Sequence, residues 1–414
     1  MFSLFPALLI RKNIVLGLLL GFSVLGGLYV WAGPAATWRL WQVPSGGPPF
    51  MDVRVITDGV IAHRKGLDPL RDNVGDVSQR RLNYPRIWQS LYGLGVDESS
   101  ANAIGLLIVL LFAVGVVLVA PGQTPLAVGG MLLAVFSPAV ILGIERGNTD
   151  LLMFFLLALA LALRRFHVVW AWGVVMVAFG LKLFPLAGLV LLLGRGRKAA
   201  LVGIAAGAAG GFLYVLFILY DLILIKQATP QGAWISYGLG VFSLWVAEGH
   251  AGWGRVVWVL SLLVAAAVLG VGFLRRGKVA PAEEGPSLDA FRVSVAIYAG
   301  TFLLGTNFDY RQVFLLFAIP QLQKWSAGGS AGRGLLARMG LAGIYVSLWT
   351  LMAEQWLAGQ EVAAWFAFGV GELAQWSVFA VLVWLFCRTL PDWMPWVTGK
   401  KDEFKGAVPE ADSA

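Results

Sequence analysis

Residues 168 to 193 read VVWAWGVVMVAFGLKLFPLAGLVLLL, with Arg164 and Arg165 before them and Arg195, Arg197 and Lys198 after them. A run this apolar belongs in hydrocarbon, and by the positive-inside rule both basic flanks lie on the cytoplasmic side. The chain must therefore enter and return, turning where Lys182 and Pro185 interrupt the apolar run. This puts Lys182 near an outward-facing turn. Each half has about 13 residues, which at a rise of 1.5 Å cover roughly 20 Å of a hydrocarbon core about 30 Å thick. The polar junctions between such short elements are recessed in the outer leaflet, where non-helical backbone is tolerable only if it lines a cavity or packs in protein. A cavity that opens outward is expected.

The same reading extends along the whole chain. Of 414 residues, 58% are apolar and 13% charged, against about 25% charged in a soluble domain. This excludes an ordinary cytosolic enzyme. Apolar segments fall at about 14 to 33, 101 to 120, 125 to 144, 150 to 163, 168 to 180, 182 to 194, 199 to 220, 256 to 274, 292 to 305, 312 to 323, 335 to 353 and 362 to 386. The fold class is an all-α polytopic membrane protein of about 12 transmembrane helices, several of them short. The first segment reads as an uncleaved signal anchor, and both termini are expected to be cytoplasmic. Arg11/Lys12, Arg164/Arg165, Arg195/Arg197/Lys198, Arg275/Arg276/Lys278, Lys324/Arg333, Arg388 and Lys400/Lys401 then share one side, so the net charge of +8 is a topology signal rather than a nucleic-acid footprint. The lone Cys387 sits in an apolar span and is expected to be inert.

The loops decide the class of chemistry. The longest cytoplasmic connection, about 277 to 292, is too short for a nucleotide-binding domain, and neither GxxxxGK[ST] nor a GxGxxG after a strand occurs. An ATP-driven pump is excluded on these grounds. The first outer loop, 34 to 100, carries seven acids and eight Lys or Arg residues. Within it Met51 to Lys65 (MDVRVITDGVIAHRK) has a helical apolar pattern, read as an amphipathic helix along the membrane surface, with a second interfacial helix after Asn83-Tyr84-Pro85. On that pattern Asp52 shares a face with Ile56, Gly59 and His63, whereas Asp58 points elsewhere with Arg54 one turn before it as a partner. Asp52 is open to two readings, a first-turn acid that stabilises the helix end or a functional carboxylate.

Three more polar groups lie at outer junctions. In Glu145-Arg146-Gly147-Asn148-Thr149-Asp150, Asn148 or Thr149 is a candidate helix cap while Glu145 and Arg146 neutralise each other, yet so polar a stretch at this depth is costly unless it lines a wet site. Lys182 can snorkel to the interface or serve as a fixed positive charge for a phosphate. In Thr306-Asn-Phe-Asp-Tyr-Arg311, Asp309 and Arg311 can form a loop ion pair, which leaves Asn307 and Tyr310 unexplained. The aromatic residues between Lys226 and Arg255 read as interfacial belt residues. His63, His167 and His250 are isolated, with no metal-ligand spacing, and there is no GxSxG elbow.

The ordered set MDVRVITDGVIAHRKGLDPL, NYPR, ERGNTD, GLKLFP and TNFDYR, between residues 14 and 323, resembles the GT-C superfamily of membrane glycosyltransferases, and within it the polyprenyl-phosphate-sugar-dependent enzymes of glycosyltransferase family 87. The chain departs from that family at Ile56, where an aromatic residue is frequent, and at Arg86, where a second proline is common. The resemblance implies a GT-C-like catalytic transmembrane module over 1–323, followed by C-terminal transmembrane helices over 324–390 and a cytoplasmic tail over 391–414. It implies an inverting transfer of a mannose-like hexose or a pentose from a polyprenyl-phosphate sugar to an extracytoplasmic glycan or glycolipid acceptor. The site would face outward from a bacterial-type cytoplasmic membrane. Asp52 is the expected base, with Asp58 the competitor. Lys182 and Arg311, and to a lesser degree Arg146, would hold the donor phosphate. Asn148, Asp150, Asp309, Tyr310, Tyr84 and Glu145 would contact sugar or acceptor. No cofactor is expected to be required, a divalent metal is left open, and the partners are lipid and glycan with no nucleic acid. The competing expectations are a secondary transporter or flippase of a lipid-linked sugar, and a non-catalytic assembly protein.

Overall fold

The computed structural model describes residues 11–120, 124–274, 285–328, 330–391 and 393–394. Most of the expected cytoplasmic tail, the first half of the 277–292 connection and the Arg275/Arg276/Lys278 cluster lie outside the described residues. The regular secondary structure of the described residues is helical, apart from one pair of two-residue strands.

Helices begin where prolines and capping side chains let them. Helix α1 (Lys12–Ala32) ends before Gly33, and Pro34 opens the short α2 (Pro34–Leu40). Proline fits the first turn because the amide it lacks would have no partner there. Two short helices, α3 (Met51–Thr57) and α4 (Gly59–Arg64), follow, and then a 3₁₀-helix over Arg86–Leu94. Next come α5 (Ala101–Val119), α6 (Pro125–Val135), α7 (Pro138–Arg146), α8 (Thr149–Leu163) and α9 (Val168–Leu181). Thr124 and Asn148 cap α6 and α8 with side-chain oxygens, and Pro125 and Pro138 open α6 and α7.

The decisive 168–193 interval folds as expected, with one correction. Its second half, Phe184–Arg195, is a 3₁₀-helix rather than an α-helix, and Lys182 between the halves is extended. Pro185 lacks the amide needed to continue α9. The halves return on each other: a Cβ at Gly188 would lie 3.7 Å from Val175 across the turn, and at the open end Arg195 donates to the Arg164 carbonyl. The two basic flanks therefore meet, and Arg164 also pairs with the buried Asp289.

Beyond the hairpin lie α10 (Arg197–Phe217), α11 (Leu219–Ala228), strand β1 (Ser236–Tyr237), α12 (Val241–Gly249), α13 (Ala251–Leu274) and α14 (Pro286–Leu303). Strand β2 (Asn307–Phe308) pairs antiparallel with β1, Ser236 opposite Phe308. A 3₁₀-helix over Asp309–Phe317 then leads to α15 (Ile319–Gly328), α16 (Ala331–Leu357) and α17 (Glu361–Cys387). Among the described residues six helices are long and apolar enough to cross a membrane, and the pair α6 and α7, bent by 51°, forms a seventh if it counts as one broken span. This is a polytopic helical membrane protein. Helix α8 lies at its centre, with Phe154 packed against Phe112 and stacked at 4.3 Å on Phe317.

The first loop departs from expectation. Met51 to Lys65 is not one surface helix, since it breaks at Asp58 into α3 and α4, and most of α3 is buried. Val55, Ile56, Leu70, Leu82, Tyr84 and Trp88 form a small core of their own. Asn73 donates to the Val55 carbonyl at 3.0 Å and Tyr92 to that of Ile56 at 2.9 Å. Burial of about half a dozen apolar side chains, each contributing roughly 1.5 to 3 kcal/mol, outweighs a position at a lipid surface.

Candidate functional site

Two helix ends and two breaks face one another. Helix α7 ends at Gly147, whose left-handed φ of 58° reverses the chain. A Cβ there would lie 2.9 to 3.0 Å from Phe50 and Val53, so glycine permits both the turn and the approach of α3. Asn148 follows as the cap of α8, its Oδ1 accepting from the Asp150 amide at 2.8 Å. Its Nδ2 donates to Asp52 Oδ2 at 2.6 Å. Asp52 does not cap its own helix, because Phe50 holds that position without a side-chain bond. Its other oxygen faces Arg80 at 3.3 Å and Arg146 at 4.0 Å.

A second group lies across the cavity. Asp150 is fully buried and bridges two cations: Oδ1 is 2.5 Å from Lys182 Nζ and Oδ2 is 3.0 Å from Arg311 Nε. Lys182 also donates to Thr149 Oγ1 at 3.1 Å. The Phe184 ring lies 5.9 Å from Lys182 Nζ and 4.9 Å from the Arg311 guanidinium, and Tyr84 lies 5.2 Å from Lys182 on another side. Arg311 donates to Asn307, which in turn donates to the Thr301 carbonyl at 2.7 Å, so the small sheet sets its direction. A Cβ at Gly238, just after β1, would meet the Gly305 carbonyl at 2.0 Å, which makes glycine necessary for that pairing.

These groups line a cavity of about 640 Å³, in which, among the described residues, Asp52 is the one carboxylate and Arg80, Arg81, Arg146, Lys182 and Arg311 are the five basic side chains. Asn83, Tyr84, Asn307 and Tyr310 add uncharged polar groups. Burial pushes the Tyr84 phenol up, so it stays a neutral donor. At one edge the cavity meets an apolar groove of about 410 Å³ between Phe184–Arg195, α10 and α14, the two sharing Leu183, Phe184, Thr301 and Leu304.

The structure brings together Asp52, Arg146, Lys182, Arg311, Tyr84 and Tyr310 as cavity residues. Five others it places outside the cavity lining. Asn148 is turned to Asp52 rather than outward for sugar, because one side chain both caps α8 and reaches α3. Asp150 spends both oxygens on Lys182 and Arg311. Asp309 is buried away from the cavity, accepting from Gln312 at 2.7 Å. Glu145 faces a different, apolar cavity. Asp58 is buried in the first loop, where it accepts from Thr57 at 3.1 Å and burial pushes its carboxyl up. The expected pairing of Asp58 with Arg54 does not form, since Arg54 donates to the Pro49 carbonyl and Asn102.

Sequence reasoning missed Arg80. It is held by Asp76 at 2.8 Å, donates to the Met51 carbonyl at 2.6 Å and thereby stands over Asp52. The sequence signal is the Asp76-x3-Arg80 spacing. Among the described residues no group of three or more His, Cys, Asp or Glu side chains is arranged to hold a metal ion. Comparison with protein-family models, with curated proteins and with solved structures finds no match to this chain.

Proposed function

We propose that this chain is an inverting glycosyltransferase of the GT-C kind, which moves a sugar from a polyprenyl-phosphate donor to a glycan or glycolipid acceptor. The observation that carries the reading is a cavity with five basic side chains and a single carboxylate that continues sideways into an apolar groove. Its charge suits an anion, and the groove suits a hydrocarbon chain attached to that anion. A soluble nucleotide sugar needs no such groove.

In this reading the acceptor oxygen attacks the anomeric carbon from the side opposite the phosphate, and the carbon–oxygen bond to the phosphate breaks. Asp52 takes the acceptor proton, and the departing polyprenyl phosphate takes the bonding electron pair. The negative charge that develops on the phosphate is met by basic side chains already in position, which is the main electrostatic demand of the step. Arg146 keeps capacity for the phosphate, since both its ion contacts are at 4.0 Å and its Nε makes no hydrogen bond. Lys182 and Arg311 are held in place by Asp150. Around this site we read about 12 membrane passages, cytoplasmic termini and a cavity facing outward from the cytoplasmic membrane, since no nucleotide is required.

Purified protein incubated with a panel of polyprenyl-phosphate sugars and acceptor glycans should release polyprenyl phosphate with one donor. Asp52→Asn should lower the rate at least about a hundredfold, while Asp58→Asn leaves it within about twofold. Release by no donor, or full activity of Asp52→Asn, would overturn the reading. Coupled uptake of the sugar lipid without a product would replace it with transport.

A further inference from the structure

Helices α1 and α5 do not close against each other along their length. At one end Arg11 donates to the Val117 carbonyl and ties them. Beyond this tie they enclose a groove of about 960 Å³, lined by Leu18, Phe22, Leu106, Leu110 and Ala113 among others. At Gly26 no atom lies within 4 Å of where a Cβ would stand, so the groove is open there. Among the described residues its charged, amide and hydroxyl side chains lie near its ends: Arg11 at one, and Tyr29, Asn102 and Glu145 at the other. From Arg11 to Tyr29 the helix rises roughly 27 Å, close to the thickness of a hydrocarbon core.

Glu145 makes this more than a lipid-facing gap. Its side chain is 5% exposed, and its nearest ion partner is Arg146 at 4.0 Å. A buried carboxylate facing an apolar space is costly unless donors reach it. The Arg146 guanidinium also lies 4.0 Å from Asp52, so one cation separates the tip of the groove from the carboxylate of the cavity. Among the described residues no basic side chain lines the groove at this end, whereas five line the cavity, so a phosphate suits the cavity and an uncharged headgroup suits the groove.

We infer that this groove holds the hydrocarbon anchor of the acceptor, a glycolipid whose hydroxyl groups donate to Glu145. The inference rests on the glycosyltransferase reading and narrows its acceptor from glycan or glycolipid to glycolipid. Two lipid chains then approach the site from different sides, the donor's through the groove beside Phe184 and the acceptor's through the groove beside Phe50.

The test uses the full chain in nanodiscs and a hexadecyl glycoside carrying a photoreactive diazirine in its chain, with a sugar-free hexadecyl diazirine as control. Labelling is mapped to peptides. The glycoside should label α1 and α5, and filling the groove by Ala113→Trp or, as a second variant on an exposed position, Leu110→Trp should cut that labelling at least fivefold in protein of unchanged melting temperature. Glu145→Ala should cut labelling by the glycoside and leave the sugar-free control unchanged. Equal labelling by both probes, indifferent to Glu145→Ala, would mean that the groove holds only bilayer lipid and would overturn the inference. So would labelling confined to α10 and α14. Labelling needs no donor, which separates the two readings: a labelled groove in a protein that transfers nothing removes the enzyme and keeps the glycolipid site. Undiminished transfer in both groove-filled variants removes the groove and keeps the enzyme.

Discussion

Asn148 joins Asp52 to the start of α8: its Nδ2 donates to Asp52 Oδ2 at 2.6 Å while its Oδ1 caps the helix at the Asp150 amide. The same amide group thus serves stability through one atom and carboxylate orientation through the other. Asn148→Asp keeps the capping oxygen and replaces the donor with a second anion. It should abolish transfer and lower the melting temperature as well, because two buried carboxylates in contact repel or must share a proton. Asn148→Ala should lose about 1 kcal/mol of stability and at least tenfold in turnover. Thermal melts and rates measured on the same preparations check both.

Asp150 is a structural bridge between Lys182 and Arg311, and its removal strands two cations in a largely buried place. Asp150→Ala should cost about 3 kcal/mol, and Lys182→Met in the same chain should restore part of it. A double-mutant cycle on chemical or thermal unfolding measures the coupling. An additive result would show that the bridge carries no energy.

Arg86 forks between Asp68 and Asp221, 2.9 Å from each, and so ties the first loop to α11. Helix α11 has no buried residue, and Leu222 and Ile225 on it line the cavity. Arg86→Ala should therefore speed amide exchange over 219–235 at least tenfold and leave α16 and α17 unchanged. Hydrogen exchange read by mass spectrometry decides this. Because the pairs are partly exposed, 1 M salt should act in the same direction.

The same latch carries a pH dependence. Burial acts to raise the Asp68 carboxyl, yet hydrogen bonds from Arg86 and the Leu70 amide outweigh it and hold the group below its ordinary value. A depressed carboxyl stabilises the folded state fully above its unfolded value, about 3.9, and loses that contribution as the pH falls through the folded one. Exchange protection over 219–235, corrected for intrinsic rates, should be flat from pH 5 to 8 and fall only below about pH 4. A decline between pH 6 and 7 would assign the latch to other groups.

Much of this was legible without coordinates. Apolar run length marks membrane helices, and basic flanks mark which ends share a side, because both depend on composition alone. Lys182 and Pro185 break the decisive interval where a charge and a missing amide must break it. Glycine at 147 and asparagine at 148 announce a helix end and a helix start for the same local reasons. The first loop was less legible, since its core unites Val55 and Ile56 with Leu82 and Trp88, residues that no local period connects.

By itself the sequence determined the membrane class, the position of most helices, and the handful of polar junctions from which any site had to be drawn. Which atoms of those junctions meet was decided by tertiary structure alone. Glu145 and Arg146 are neighbours in the chain, but successive side chains on a helix diverge by about 100°, and they line two different cavities. Asp150 could serve a sugar or a cation until α9 and the Asp309–Phe317 turn brought Lys182 and Arg311 against it. Arg80 reaches Asp52 across a loop whose path depends on burial. Local chemistry fixes where a helix starts and stops, whereas the direction in which a side chain points depends on long-range packing between helices.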